Sequence, residues 1–333
     1  MASTQSVGAN PPTAMLTYFL RRLLYLIPML LGISFLIYLM LELTPGDVIS
    51  YLLPPEAIAD LKPEELMAMR EALGLNDPFI IRYFHWLGGI LQGDFGYSLA
   101  SGVSISKLVL DRVPATLELS VSALLISTFL GVILGSISAL NRGSILDNSF
   151  TIFGMVGVSI PEFIFGLIAL VIFALNLEWL PVGKRLMPGY ESYWDHMPHL
   201  IMPATVLGLI MTAGVMRYTR SSMLDSLNKE FIRTARSKGI PELRINFIHG
   251  LRVALVPVVV LIGFRLPMLI GGTVIIEQVF QWPGIGDLFI ISVRAQNYPL
   301  VMMISFLSVT AVLLASFLID LLTALLDPRV KLE

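Results

Sequence analysis

Long uninterrupted apolar runs alternate with short polar segments along this chain. The runs fall at 23–43, 116–140, 150–175, 200–216, 253–277 and 300–326. As helices they match roughly 30 Å of hydrocarbon, and open strands cannot cross lipid because their edges leave backbone groups unpaired. The pattern predicts an all-α membrane protein with six transmembrane helices. The first covers 16–43, with its apolar stretch at Leu23 to Leu43. A disordered tail is expected over 1–15, a segment with short helices over 44–115, a transmembrane core over 116–327, and a short terminus over 328–333.

Two polar segments carry helical patterns of their own. In 44–115, Pro63 suits a first helical turn, Glu64 and Glu65 favour a helix N-terminus, and Gly74 follows the end. Leu66, Met69 and Leu73 share one face there. Phe79 to Leu91 carries Tyr83, Phe84 and Trp86, which suit a membrane interface. In 217–252, Phe231, Ala235 and Lys238 fall on one helical face, and the small Ala235 permits close approach. Gly239 sits where a helix end wants a left-handed residue, and Pro241 prevents simple continuation. Leu243, Phe247 and Leu251 begin a new stripe at i, i+4 spacing. The expectation is helix, sharp turn, then a second helix along the membrane surface, with Gly239 intolerant of bulk.

Charge orients these spans. Arg21, Arg22, Arg142, the basic run from Arg217 to Arg252, Arg329 and Lys331 gather on one side, while the short loops opposite hold only Lys184, Arg185 and Arg294. Long loops weigh little in this rule, so 44–115 is external and both termini are expected to be cytoplasmic. The charged fraction is 14% against an apolar fraction of 56%, far from the roughly 25% charge of soluble domains. With no cysteine, disulfides and thiolate metal sites are excluded. The first apolar run ends in Glu42-Leu43-Thr44-Pro45-Gly46-Asp47 without an Ala-x-Ala step, as a retained span does rather than a cleaved signal.

Candidate chemistry is sparse. There is no phosphate-cradling G-x-x-x-x-G-K-[ST] loop, since Gly183-Lys184 is followed by Arg185. Arg265 lies midway along span five, where a charge usually faces a bundle or a water-filled path. Glu277 lies near the outer end of that span and suits a path or gate. Glu162, after Pro161 inside span three, reads as structural, and Asp320 as locally paired. Gly131-x-x-x-Gly135 suits close helix packing. Gly284-Ile285-Gly286-Asp287 resembles a string of intramembrane aspartyl proteases, but no Tyr-Asp accompanies it, so it reads as a turn. His196-x-x-His199 lacks the carboxylates of a metal site.

The run Phe231-Ile232-Arg233-Thr234-Ala235-Arg236-Ser237-Lys238-Gly239 resembles the cytoplasmic motif of binding-protein-dependent ABC importer permeases, whose general form is Glu-Ala-Ala, three residues, Gly. Arg233 in place of Glu, and Arg252 where the general motif has proline, are as in the oligopeptide/dipeptide/nickel branch. Further matching pieces are Arg21-Arg22, Thr-Pro-Gly-Asp at 44–47, Gly-Asp-Phe-Gly-Tyr-Ser at 93–98, Pro-Ala-Thr-Leu-Glu-Leu at 114–119, Ser-Ile-Pro-Glu-Phe at 159–163, Val-Phe-Gln-Trp-Pro-Gly-Ile-Gly at 279–286 and Leu-Leu-Asp-Pro-Arg at 325–329. The resemblance implies a type I importer fold in a bacterial or archaeal cell membrane. It also implies a second homologous permease, two cytoplasmic ATPases that bind ATP and Mg, and an external or periplasmic solute-binding protein, with no nucleic acid and no cofactor in this chain. Phe231, Arg233, Thr234, Ala235, Arg236, Lys238 and Gly239 would couple to the ATPase. The expected cargo is a di- or oligopeptide, the alternatives being a nickel chelate, glutathione or an oligosaccharide. A stand-alone secondary transporter would instead call for inverted repeats or several buried carboxylates, and neither is visible.

Overall fold

The computed structural model describes residues 11–44, 60–72, 74–185 and 193–326, and the regular elements among them are helical. The expectations for most of the 1–15 tail, for Pro45-Gly46-Asp47, for Pro328-Arg329 and for 328–333 lie outside the described residues. In chain order the helices are α1 (Pro11–Glu42), α2 (Pro63–Ala72), α3 (Phe79–Leu91), α4 (Ile105–Leu140), α5 (Ile145–Ser159), α6 (Glu162–Ala169), α7 (Tyr193–Leu227), α8 (Glu230–Ser237), α9 (Glu242–Arg244), α10 (Leu251–Gly272), α11 (Val274–Val279), α12 (Ile285–Arg294) and α13 (Tyr298–Leu326). Among the described residues, five helices are long and apolar enough to cross a membrane, and six spans result if the bent α5–α6 pair counts as one. The chain divides into two compact units.

The first unit comprises Met1–Leu108 and Ser292–Glu333. Its frame is α1 packed along α13, joined by an ion pair between Arg22 and Asp320. Asp320, expected to pair locally, instead pairs with a residue of the first helix 298 positions earlier. The short helices α2 and α3 form as the pattern predicts, with Gly74 at φ +64° after α2. On α3, however, only Phe84 points outward as an interface residue would. Tyr83 is buried, its ring against Phe35 and Tyr38 and its hydroxyl 2.9 Å from Ser34 Oγ. Trp86 meets Phe306 of α13. The Gly-Asp-Phe-Gly-Tyr-Ser stretch closes against the start of α13: the Asn297 amide donates to Ser98 Oγ at 2.7 Å and accepts from the Leu99 amide at 3.2 Å.

The second unit, Val109–Ile291, is organised around α7. In α7 72% of the most apolar window is buried, against 11% in α1, so α7 is the core helix. Gly131 and Gly135 of α4 let the two backbones meet. A Cβ on Gly131 would lie 2.6 Å from the Val215 side chain, and one on Gly135 2.6 Å from the Met216 carbonyl oxygen. The packing reading of that pair is what the structure shows.

Several expected spans differ, among them the fifth, which ends at Gly272 and leaves Glu277 on the separate α11. α4 starts at Ile105 and carries Pro114 within it, so apolarity marks only its later part. α7 runs from Tyr193 to Leu227 rather than 200–216. The polar residues after Met216 end the hydrophobic run but do not stop helical hydrogen bonding, so the first part of the expected 217–252 loop is helix. Span three is broken: α5 and α6 meet at 101° across Ile160 and Pro161. Proline has no N–H and biases its predecessor away from helix; Ile160 is extended, at φ −82°, ψ 126°. Beyond α6 the chain widens into a π-helical stretch, Leu170–Asn176.

Gly135→Leu is expected to separate α4 from α7 and abolish the folded, monodisperse protein in detergent, because overpacking a backbone contact costs more than about 1–3 kcal/mol. Gly157→Ala, where an added Cβ meets nothing within 4 Å, is expected to leave the elution profile unchanged in size-exclusion chromatography.

Candidate functional site

The segment that follows α7 is a compact elbow. α8 is eight residues long. Ile232 and Ala235 face inward, packed with the fully buried Ile245 and flanked by Leu227 and Ile240. Phe231, Arg233, Thr234, Arg236, Lys238 and Gly239 are exposed. Phe231, Ala235 and Lys238 do lie within about 60° of one another, but Ala235 is buried while the other two are exposed. At 100° per residue the buried arc runs from Ala235 to Ile232, and Phe231 and Lys238 stand outside it. Ala235 is small because it closes on this chain's own core.

Gly239 is left-handed at φ +73°. Its amide donates to the Arg236 carbonyl at 2.9 Å, and the Ile240 amide reaches back to the Ala235 carbonyl at 3.3 Å. These two bonds are the Schellman pattern, which satisfies carbonyls that the helix end leaves open. A Cβ at Gly239 would meet nothing within 4 Å. Within this chain the case for glycine here is therefore its backbone conformation; the expected intolerance of bulk has no steric cause among the described residues. Arg236 crosses the turn to Glu242, with Nε 2.8 Å from Oε1, and that carboxylate raises the guanidinium pKa above its ordinary value.

The second helix does not lie separately along a surface. Pro241 opens α9, which passes through a π-helical turn, Ile245–Gly250, directly into α10. The expected stripe of Leu243, Phe247 and Leu251 also fails: Leu243 and Phe247 are exposed, and Ile245 and Gly250 face inward instead. A π turn bonds i to i+5 and so shifts the phase of everything after it. Gly250 is the contact point with α7. A Cβ there would sit 2.9 Å from the Leu227 side chain, and Ser226 Oγ donates to the Gly250 carbonyl at 2.9 Å. The elbow is thereby locked to the ends of both α7 and α10.

An ion pair between a buried aspartate and a partly exposed arginine, not expected from the sequence, anchors the same end of α7. Arg220 grips Asp147 with two bonds, Nε–Oδ1 at 2.7 Å and Nη2–Oδ2 at 2.8 Å. Ser138 Oγ and the Gly143 amide complete the carboxylate's partners, so one aspartate ties together α4, α5 and α7. Ser144-x-x-Asp147 is a helix-start signature, with Ser144 Oγ accepting from the Asp147 amide at 3.3 Å. That signature was available in the sequence; the pairing with Arg220 was not.

Arg265 and Glu277, the two expected path or gate residues, sit apart in very different surroundings. Arg265 is half-buried and donates from Nη1 to the Met211 carbonyl of α7 at 3.0 Å. Glu277 is sealed. Thr116 and Thr273 donate to its Oε1 at 2.8 Å each, and the Asp287 amide donates to Oε2 at 2.9 Å. Gly284 and Gly286 leave room for it, since a Cβ on Gly284 would fall 2.2 Å from its oxygen. Its place is therefore structural: it holds the start of α12 rather than facing a path. Trp282 reinforces the joint, donating from Nε1 to the Ala115 carbonyl at 2.8 Å. The 114–119 and 279–286 motifs thus interlock through hydrogen bonds. Gly284-Ile285-Gly286-Asp287 is the turn into α12, and Asp287 is engaged by Arg112 and Gln278. His196 meets Glu118, which also takes Arg185, while His199 meets the Gly183 carbonyl. Glu162, read as structural, opens α6 after the break.

Helices long and apolar enough to span a membrane, with a polar elbow fixed between two of them, give the chain the build of a multi-pass membrane subunit. The chain belongs to the family described as "Binding-protein-dependent transport system inner membrane component", which matches residues 131–332, and the corresponding N-terminal component matches 15–120. It is 40% identical to the oligopeptide transport system permease protein AppB of Bacillus subtilis, over 95% of this chain and 100% of that protein. It is 35% identical to the di/tripeptide transport system permease protein DppB of Pseudomonas aeruginosa, and 34% to the glutathione transport system permease protein GsiC of Salmonella choleraesuis, over 95% of this chain and 99% of each relative. The protein is thus a multi-pass inner-membrane permease subunit of an ABC importer, working with an ATPase and a binding protein, and is not itself an enzyme.

Asp147→Leu is expected to lower the unfolding temperature, since it leaves the partners of a buried carboxylate unpaired, at about 1–3 kcal/mol. The double variant Asp147→Leu/Arg220→Met is expected to recover part of that loss. Thermal unfolding of the detergent-purified protein, followed by tryptophan fluorescence, checks both.

Proposed function

We propose that this chain is one half of the translocation path of an ATP-driven importer of di- or oligopeptides. The peptide reading is supported by relatives that carry peptide names across nearly the whole chain. The machine pairs the chain with a second homologous permease, two cytoplasmic ATPases that bind ATP and Mg, and an external solute-binding protein. Both termini and the 217–252 region are cytoplasmic, as the basic residues favour, and 44–115 is external.

The observation that carries the coupling reading is the construction of α8. Its apolar side is used up inside this chain by Ile232 and Ala235, so the exposed Phe231, Arg233, Thr234, Arg236 and Lys238 are left to meet another protein. Because the elbow is bonded to α7 through Ser226 and runs without interruption into α10, a push on α8 reaches both helices. A short lever fixed at two points transmits displacement; a mobile loop would absorb it.

Gly239→Asp is expected to abolish co-purification of the ATPase and ATP-dependent peptide uptake, combining the cost of a left-handed non-glycine residue with a charge on the docking face. Phe231→Ala, which leaves this chain's packing intact, is expected to weaken ATPase binding by about 2 kcal/mol, the scale of an interface anchor. Retention of tight ATPase binding in both variants, measured by pull-down and uptake, would remove the assignment.

A further inference from the structure

Arg265 is not an incidental charge on a lipid-facing surface. Ala254, Val258, Ile262 and Leu269 form the packed stripe of α10, at i, i+4, i+8 and i+15, and Arg265 stands within it, at i+11. The opposing position on α7 is Gly214. A Cβ there would lie 2.0 Å from Arg265 Nη2, so the glycine leaves the space that the guanidinium occupies in the seam. The Met211 carbonyl accepts one N–H. An arginine carries five such donors, and the remaining ones have no acceptor among the described residues.

A second cation stands beside it. Arg217, one turn past Gly214 on α7, is exposed and, at i+3, lies on the same side of the helix as the Arg265 contact. Neither forms an ion pair with an acidic side chain among the described residues. Tyr218 and Ser221, also exposed on α7, add hydroxyls on the adjoining surface. Gly214 lies two residues inside the end of the apolar run of α7 at Met216, and Arg217 is the first charged residue beyond that end. The half-buried Arg265 sits in the span with a second cation at its edge, a place where an anion would be welcome, and a fork of planar donors fits a carboxylate in particular.

We propose that Arg265 and Arg217 form a carboxylate-binding station in the translocation path, which takes the C-terminal carboxylate of the peptide in transit. This rests on the peptide-importer reading above. The station explains why the seam spends a glycine opposite a charged residue: the guanidinium is held in place by Met211 and Gly214, with its free donors left for the passing anion. An acidic side chain of the second permease is the competing occupant, and the experiment separates the two.

The test uses the assembled permease–ATPase complex without its binding protein, so that selectivity upstream does not enter. Thermal stabilisation is measured with millimolar alanyl-alanine and with alanyl-alanine amide, since a ligand that binds only the folded state raises its stability. The wild type and Arg265→Lys are expected to be stabilised by the acid and not by the amide. Arg265→Met and Arg217→Gln are expected to lose at least three-quarters of the shift while the complex still assembles. Equal shifts with acid and amide, no shift in the wild type, or an undiminished shift in Arg265→Met would overturn the station. So would loss of the second permease from Arg265→Met with rescue by Arg265→Lys, which would assign the charge to a subunit contact. Uptake of labelled alanyl-alanine by wild-type proteoliposomes with binding protein and ATP is measured in parallel. If uptake occurs but the carboxylate dependence does not, only the station falls; if no peptide is taken up, the importer reading itself falls.

Discussion

The close approach of α7 to its neighbours is the constraint on which the second unit depends. α7 is the most enclosed of the candidate spans, and its contacts are set by residues that lack side chains: Gly131 and Gly135 where α4 crosses it, Gly250 where the elbow returns, and its own Gly214 where Arg265 enters. Lipid offers helices little hydrophobic reason to associate, so short-range packing and buried polar contacts must supply it. Small residues at the crossings allow both at once. The Asp147–Arg220 pair adds a charge-assisted bond at the end where the elbow attaches.

The elbow inherits its rigidity from that arrangement. α8 is too short to be stable alone, and is held because Ile232 and Ala235 share a core with Ile245 beyond the turn. The Schellman end at Gly239 and the opening at Pro241 make the reversal tight, and the π turn lets Gly250 reach α7 while the helix continues into α10. Sequence, local geometry and mechanical role therefore agree: each turn residue is one that only that conformation requires.

At the other end of the second unit, a buried carboxylate does comparable work without chemistry. Glu277 gathers Thr116, Thr273 and the first amides of α12, and the two glycines of Gly-Ile-Gly clear the space. A charge in such a place looks functional in a one-dimensional reading. Its partners lie some 160 positions earlier and about ten later in the chain, so only the folded chain reveals that its acceptor sites are already filled.

Sequence alone determined the class of the protein, because spanning lipid demands long apolar helices and no other periodicity can imitate them. It also determined the glycine–proline elbow at Gly239 and Pro241, the short helices at 63–72 and 79–91, and the close-packing glycines of α4, since each is dictated by local backbone rules. Tertiary structure decided what local rules cannot. It broke span three at Pro161, carried α7 past its polar residues to Leu227, and turned Ala235 inward while leaving Phe231 outside. It also shifted the expected stripe after Leu243 by a π turn and separated the sealed Glu277 from the open Arg265. The physical reason is the same in each case: hydropathy reports which residues tolerate lipid, whereas helix length, phase and charge partnership are set by the neighbours a residue meets only after folding.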